Sequence, residues 1–167
     1  WIALVCPAFA ADQTITITTG GRTGTYYWIG VEICGLLKRE QARHHINCKV
    51  QASRGSVANL IALRSKRADF AIVQADVLFD VDRKNAGKPK AAESGPAGIQ
   101  GIFALHHESL VIMVAPGVHA ETLADLKKYR VSLGGKGSGH QVTAQIVFEA
   151  LTGSPYKSPQ PLDIPTD

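Results

Sequence analysis

The chain has 167 residues, 45% of them hydrophobic and 19% charged, which is ordinary for a globular protein and enough for one domain with a proper core. Its formal charge of +4 is modest, and the basic residues are spread along the whole length, with local clusters such as Lys38-Arg39, Lys127-Lys128 and Arg83-Lys84…Lys88…Lys90. None of these is interleaved with aromatic residues, which speaks against a nucleic-acid groove and for a solvated surface with a mild preference for anionic ligands.

The first residues, WIALVCPAFAADQ, form an apolar run closed by Ala8-Phe9-Ala10, then Ala11 and the polar Asp12-Gln13. An apolar stretch ending in A-x-A is the end of a secretory signal peptide, here without an initiator Met or a basic start. Residues 1–11 therefore read as the remnant of a leader, and the mature chain as exported to the periplasm. The run is far below the roughly 20 residues that span a bilayer. The bulky Val5 before Cys6 argues against lipid attachment there. With Cys6 removed, Cys34 and Cys48 remain, and in an oxidising compartment such a pair is a disulfide candidate; two buried free thiols are the alternative. Closing so short a loop contributes about 3 kcal/mol.

The alternation Ile15-Thr16-Ile17-Thr18-Thr19 predicts a strand at 14–19, followed by a helix at 24–40 with an apolar stripe of Ile29, Ile33, Leu36 and Leu37. A strand at 46–52 turns through Ser53-Arg54-Gly55-Ser56 into a helix at 57–66 with Val57, Leu60 and Ile61 on one face. Residues 68–73 are nearly continuously apolar, as in a parallel strand covered on both faces. A helix at 76–83 and a polar loop from Arg83 to Gly98 come next. Strands are predicted at 99–105 and 109–115, a short helix around 121–128, a strand at 129–134, the glycine-rich GGKGSGH, and a helix at 140–151 with Val142, Ile146, Val147 and Ala150 aligned. Residues 154–167 hold four of the eight prolines and no ordered pattern, and read as a tail or a connecting segment. Strand alternating with helix implies an α/β fold with a mainly parallel sheet.

Four polar bends share one place in this topology: Thr18 to Thr25, Ser53 to Ser56, Gln74 to Asp76, and Gly135 to His140. Each joins the carboxyl end of a strand to the start of a helix, where backbone N–H groups are free to hold an anion. Ligands of open α/β sheets bind outside those carboxyl ends, so the bends suggest one shared cleft. A phosphate cradle in an enzyme and a carboxylate clamp in a binding protein are the competing uses.

The enzyme use lacks its residues. Gly134 to Gly139 satisfies G-x-x-x-x-G, but His140-Gln141 stand where a P-loop requires Lys and Ser/Thr, and the dinucleotide spacing G-x-G-x-x-G is not met. There is no G-x-S-x-G elbow and no H-E-x-x-H pair. The neighbours His44-His45 and His106-His107-Glu108 point to opposite faces if extended, so neither pair offers two metal ligands from one element. No catalytic constellation, metal site or cofactor site is expected.

The stretches ITITTGGRTGTYYWIG, QASRGSVANLIALRSKRADFAIVQAD, LHHESLVIMVAP and TLADLKKYRVSLGGKGSGHQVTAQIVFEALTG closely resemble the TAXI family of TRAP-transporter solute receptors, in order over 14 to about 153. The specific part is the combination of TGG…GTYY, S-x-x-N-L at Ser56 to Leu60, AIVQAD and GSG. The resemblance implies a monomeric extracytoplasmic receptor with a periplasmic-binding-protein-like (type II) fold. Its two α/β lobes surround a hinge, the first at 12–105 and an incomplete second at 106–167. Such a receptor delivers a small anionic solute, a carboxylate such as glutamate or 2-oxoglutarate, to TRAP-type membrane permease subunits. Matching positions imply ligand contacts at Gly24, Thr25 and Tyr26, at Ser56 and Asn59, at Gln74 and Asp76, and at Ser138, Gly139 and His140. Ser56, Ser138 and Asp76 equally suit helix caps, and Asn59 equally suits a brace inside its turn. His140 departs from the small hydroxyl residue usual at its position. Arg22 or Arg54 is available as a bidentate carboxylate partner. Members of that family are much longer chains, so this stretch reads as truncated at both ends, and its binding of ligand by itself is expected to be weak or absent. An exported enzyme on the same fold, or an inactive truncated product, are the alternatives.

Overall fold

A computed structural model of the chain describes residues 12–85 and 98–157. The leader at 1–11, most of the loop before Gly98 and the last residues of the tail lie outside the described residues. The sheet has three parallel strands in the order β2-β1-β3. β1 (Gln13–Thr18) pairs along its whole length with β2 (Ile46–Gln51), from Gln13 opposite Ile46 to Thr18 opposite Gln51. On its other side it pairs with β3 (Phe70–Ala71), Ile17 opposite Phe70 and Thr18 opposite Ala71. As the middle strand, β1 carries the deepest residues of the sheet, and Ile17, Thr18 and Thr19 are all buried.

The strand expected over 68–73 is thus reduced to two paired residues. Asp69 ends the ladder by accepting the Thr16 N–H on its carboxylate at 2.8 Å, a side-chain bond in place of the next rung. Phe70 is exposed, so β3 is not the expected strand covered on both faces.

α1 (Thr25–Arg39) lies on β1 and β2 through Gly30, its buried residue, where a Cβ would come within 2.7 Å of Thr19 Cγ2 and 3.2 Å of Val50 Cγ1. The predicted stripe is only partly covered, and Leu36 is exposed. A short α2 (Gln41–His44) ends at His45 in the left-handed conformation and leads into β2. Cys34 of α1 and Cys48 of β2 are joined as a disulfide with Cα atoms 5.1 Å apart, in the middle of the usual range. α3 (Ser56–Arg64) buries Ser56, Asn59, Leu60 and Ala62, so its inner face is more polar than the predicted Val57-Leu60-Ile61 face, and Ile61 is exposed. α4 (Ala75–Asn85) buries Val77 and Asp80, and the Asp80 carboxylate is held by Arg83 at 3.2 Å and Lys84 at 2.5 Å.

The strands expected at 99–105 and 109–115 do not form. These residues have no regular secondary structure, and Ile102, Phe103, Val111 and Met113 are exposed. An apolar extended run becomes a strand only when another strand takes its backbone hydrogen bonds, and no described strand lies beside it. The strand expected at 129–134 is likewise a single bridge at Ser132.

The last elements gather around a second small core of Leu126, Phe148 and Tyr156, packed by Ala120, Leu123, Val131 and Leu133. The helix expected near 121–128 is a 3₁₀ helix (Leu123–Lys128) opened by a Thr122–Asp125 capping box. The Thr122 hydroxyl and N–H hold the Asp125 carboxyl below its usual range. α5 (Gly139–Thr152) follows and ends at Gly153. Tyr156 is no part of a loose tail: its ring lies 4.8 Å from that of Phe148, and its hydroxyl donates to Tyr129 O at 2.8 Å and accepts from Val131 N–H at 3.1 Å. The architecture is mixed α/β with a small parallel sheet, compatible with a periplasmic-binding-protein-like fold. No described helix is long and apolar enough to cross a membrane.

Candidate functional site

The carboxyl ends of β1 and β3 are fastened together by one side chain. Asn59, one turn into α3 and fully buried, donates to Thr19 O and, at 2.7 Å, to Ile72 O. Its own oxygen lies 2.7 Å from the Thr18 hydroxyl and 2.6 Å from the Ser53 hydroxyl. A carboxamide has two donors and one two-lone-pair acceptor, so Asn59 has no capacity left for a solute. It braces the bend beneath the candidate cleft, between the two strand ends.

Above this brace the bends meet. The second bend turns at Gly55, whose φ of +112° suits glycine and whose Cβ, if present, would lie 3.3 Å from Ser138 Cα. The second and fourth bends therefore touch backbone to backbone. Ser56 is buried at the first position of α3, but its hydroxyl does not cap that helix; it accepts the Gln74 N–H at 3.1 Å and so ties the second bend to the third. Gly139, buried at the start of α5, sits so close to this pair that a Cβ would collide with the Gln74 side chain and reach 2.8 Å from Ser56 Oγ. Ser138 caps α5, accepting the Gln141 N–H at 3.2 Å.

The first bend reaches the same place through Tyr26. Its ring meets that of His106 edge-on at 5.9 Å, and its hydroxyl feels Glu108, Asp76 and Ser56 nearby. Burial pushes the phenol well above its ordinary range, reinforced by Glu108 and by the charge of Asp76, while Ser56 opposes the shift. Glu108 in turn lies 3.3 Å from His106 Nε2. Asp76, in the first turn of α4, accepts from Val77 N–H at 2.8 Å and from the Thr143 hydroxyl of α5.

Tyr26, Ser56, Gln74, Asp76, Ser138 and Gly139 thus form one cluster. Of the other expected contacts, Gly24 is the N-cap of α1, Thr25 is exposed beside it, and the exposed His140 packs its Cβ against Gly134. Arg22 lies over the Tyr27 ring at 5.8 Å, and Arg54 is exposed. Three residues that touch or border the cluster were not nominated as solute contacts from the sequence. Thr143 carried a usable signal, because it lies four residues after Gly139 and so faces the same way one turn into α5. Glu108 and His106 carried none, since their position depends on an irregular segment. The cluster offers hydroxyl, amide and helix-start donors beside two carboxylates, a set suited to hydrogen-bonding a small polar molecule. Among the described residues no three His, Cys, Asp or Glu side chains converge as a metal ion would require. Two surface grooves, of about 350 Å³ beside the disulfide and about 290 Å³ between α4 and α5, lie outside the cluster.

A protein-family model described as the NMT1-like family matches residues 17–164, a span that contains every residue of the cluster.

Proposed function

The chain belongs to the NMT1-like family, a periplasmic solute-binding family, and from that premise we propose that it is the receptor of a TAXI-type TRAP transporter, holding a small carboxylate for its membrane permease. What supports this reading is the meeting of the second, third and fourth bends at Gly139, with Ser56 and Gln74 against it. The solute's carboxylate takes the donors: the first N–H groups of α5 and α3 and the Ser56 hydroxyl. Asp76 and Glu108 add negative charge beside Tyr26, so a second, hydrogen-donating group of the solute faces them. That favours an amino acid such as L-glutamate over 2-oxoglutarate, which has no ammonium to offer. Residues 12–105 and 106–167 form parts of two lobes that enclose the solute, and Gly24, Thr25 and His140 line its rim. The receptor works in the periplasm as a monomer.

Native mass spectrometry of protein purified from its own periplasm tests this reading. An intact carboxylate of amino-acid mass, released unchanged on denaturation, is the expected result. A converted product, or a bound molecule without a carboxylate, would overturn it.

A further inference from the structure

Gln74 stands out within the cluster because its backbone is fixed and its side chain is not. The backbone N–H donates to Ser56 Oγ at 3.1 Å and the carbonyl accepts from Leu78 N–H at 3.2 Å, opening α4. The side chain then reaches across the bends. Its Oε1 lies 3.5 Å from Ser56 Oγ and its Nε2 lies 3.5 Å from Thr143 Oγ1, both at the long limit of a hydrogen bond. Between these ends the planar amide lies against Gly139, where only the missing side chain leaves room for it.

An amide placed on a helix start, with a serine hydroxyl at its oxygen, presents the same flat acyl group that a solute carboxylate or carboxamide would present. We propose that the Gln74 side chain is a built-in stand-in for the acyl group of the solute, and that a solute binds by turning it out of the α3–α5 junction. This rests on the receptor reading above. The two long bonds are cheap to exchange, and a rotamer change at Gln74 frees the space without moving a helix. Gln74 thereby sets affinity, since a solute must displace it, and selects for ligands ending in a planar acyl group.

The test compares the wild-type chain with Gln74→Ala and with Gln74→Asn, whose amide is one methylene too short to span the junction. L-Glutamate, L-glutamine and 2-oxoglutarate are titrated while amide NMR signals are followed, and hydrogen exchange at 139–143 is measured without solute. Removing a competing internal ligand raises apparent affinity, so Gln74→Ala binds the best probe about three- to tenfold more tightly and Gln74→Asn shifts the same way. Exchange at 139–143 becomes faster in both variants, because the junction has lost its filler. Equal or weaker binding by Gln74→Ala, or unchanged exchange, overturns the proposal. If no probe binds any of the three proteins while exchange still accelerates, the receptor reading fails and the stand-in contact survives on its own.

Discussion

At the scale of single residues, the polarity of the cluster was legible and its division of labour was not. Ser56, Gln74, Asp76 and Ser138 could be nominated because they lie in polar bends at strand ends and match positions of the resembled family, although three of them equally suited helix caps. Asn59 shared that signal, yet its amide is consumed by Thr18, Thr19, Ser53 and Ile72, a fact fixed by strand spacing that no local pattern carries. Asn59→Ala takes the side-chain donor from Ile72 O and the acceptor from the buried Thr18 hydroxyl, while Thr19 O keeps the Ser53 hydroxyl. It should cost about 3 kcal/mol in urea unfolding; a loss under about 1 kcal/mol would contradict the brace. Tyr26 gives a pH signature. Its phenol titrates above the value it has in the unfolded chain, so the folded state keeps a proton that the unfolded state releases. The associated stability is complete below about pH 10 and falls as pH rises beyond it. Urea midpoints should therefore drop between about pH 9 and about pH 11 more steeply for wild type than for Tyr26→Phe. Parallel profiles would show that Tyr26 is not held in this way.

At the scale of elements, the strand-helix alternation over 13–85 was readable because each element there finds its neighbour nearby in sequence: β2 and β3 both lie against β1. Residues 99–115 hold two apolar runs of strand length and do not pair, since such a run reports a preference and the partner decides the outcome. The disulfide belongs to this scale, as it fastens α1 to β2 and with them the bend that carries Tyr26. The Cys34→Ser/Cys48→Ser variant should lose about 3 kcal/mol of stability, read from its urea midpoint, through a more open unfolded chain. A midpoint equal to that of the oxidised wild type would contradict this account.

At the scale of the whole molecule, the α/β class followed from element order, whereas the second small core did not, because Tyr156 comes from a proline-rich stretch with no periodicity. Its packing on Phe148 steadies α5, and α5 brings Ser138, Gly139 and Thr143 to the bends of the sheet. The account thus makes the cluster a joint between the sheet and the last helix, assembled from residues far apart in the chain. The direct test is an amide NMR titration of the isotope-labelled chain with L-glutamate, which detects weak binding as well as tight. Saturable shifts grouped at Tyr26, Ser56, Gln74 to Asp76 and Ser138 to Gly139, reduced about tenfold in apparent affinity by Ser56→Ala, are the predicted result. No saturable shifts, or shifts gathered at the groove beside Cys34 and Cys48 instead, would contradict it.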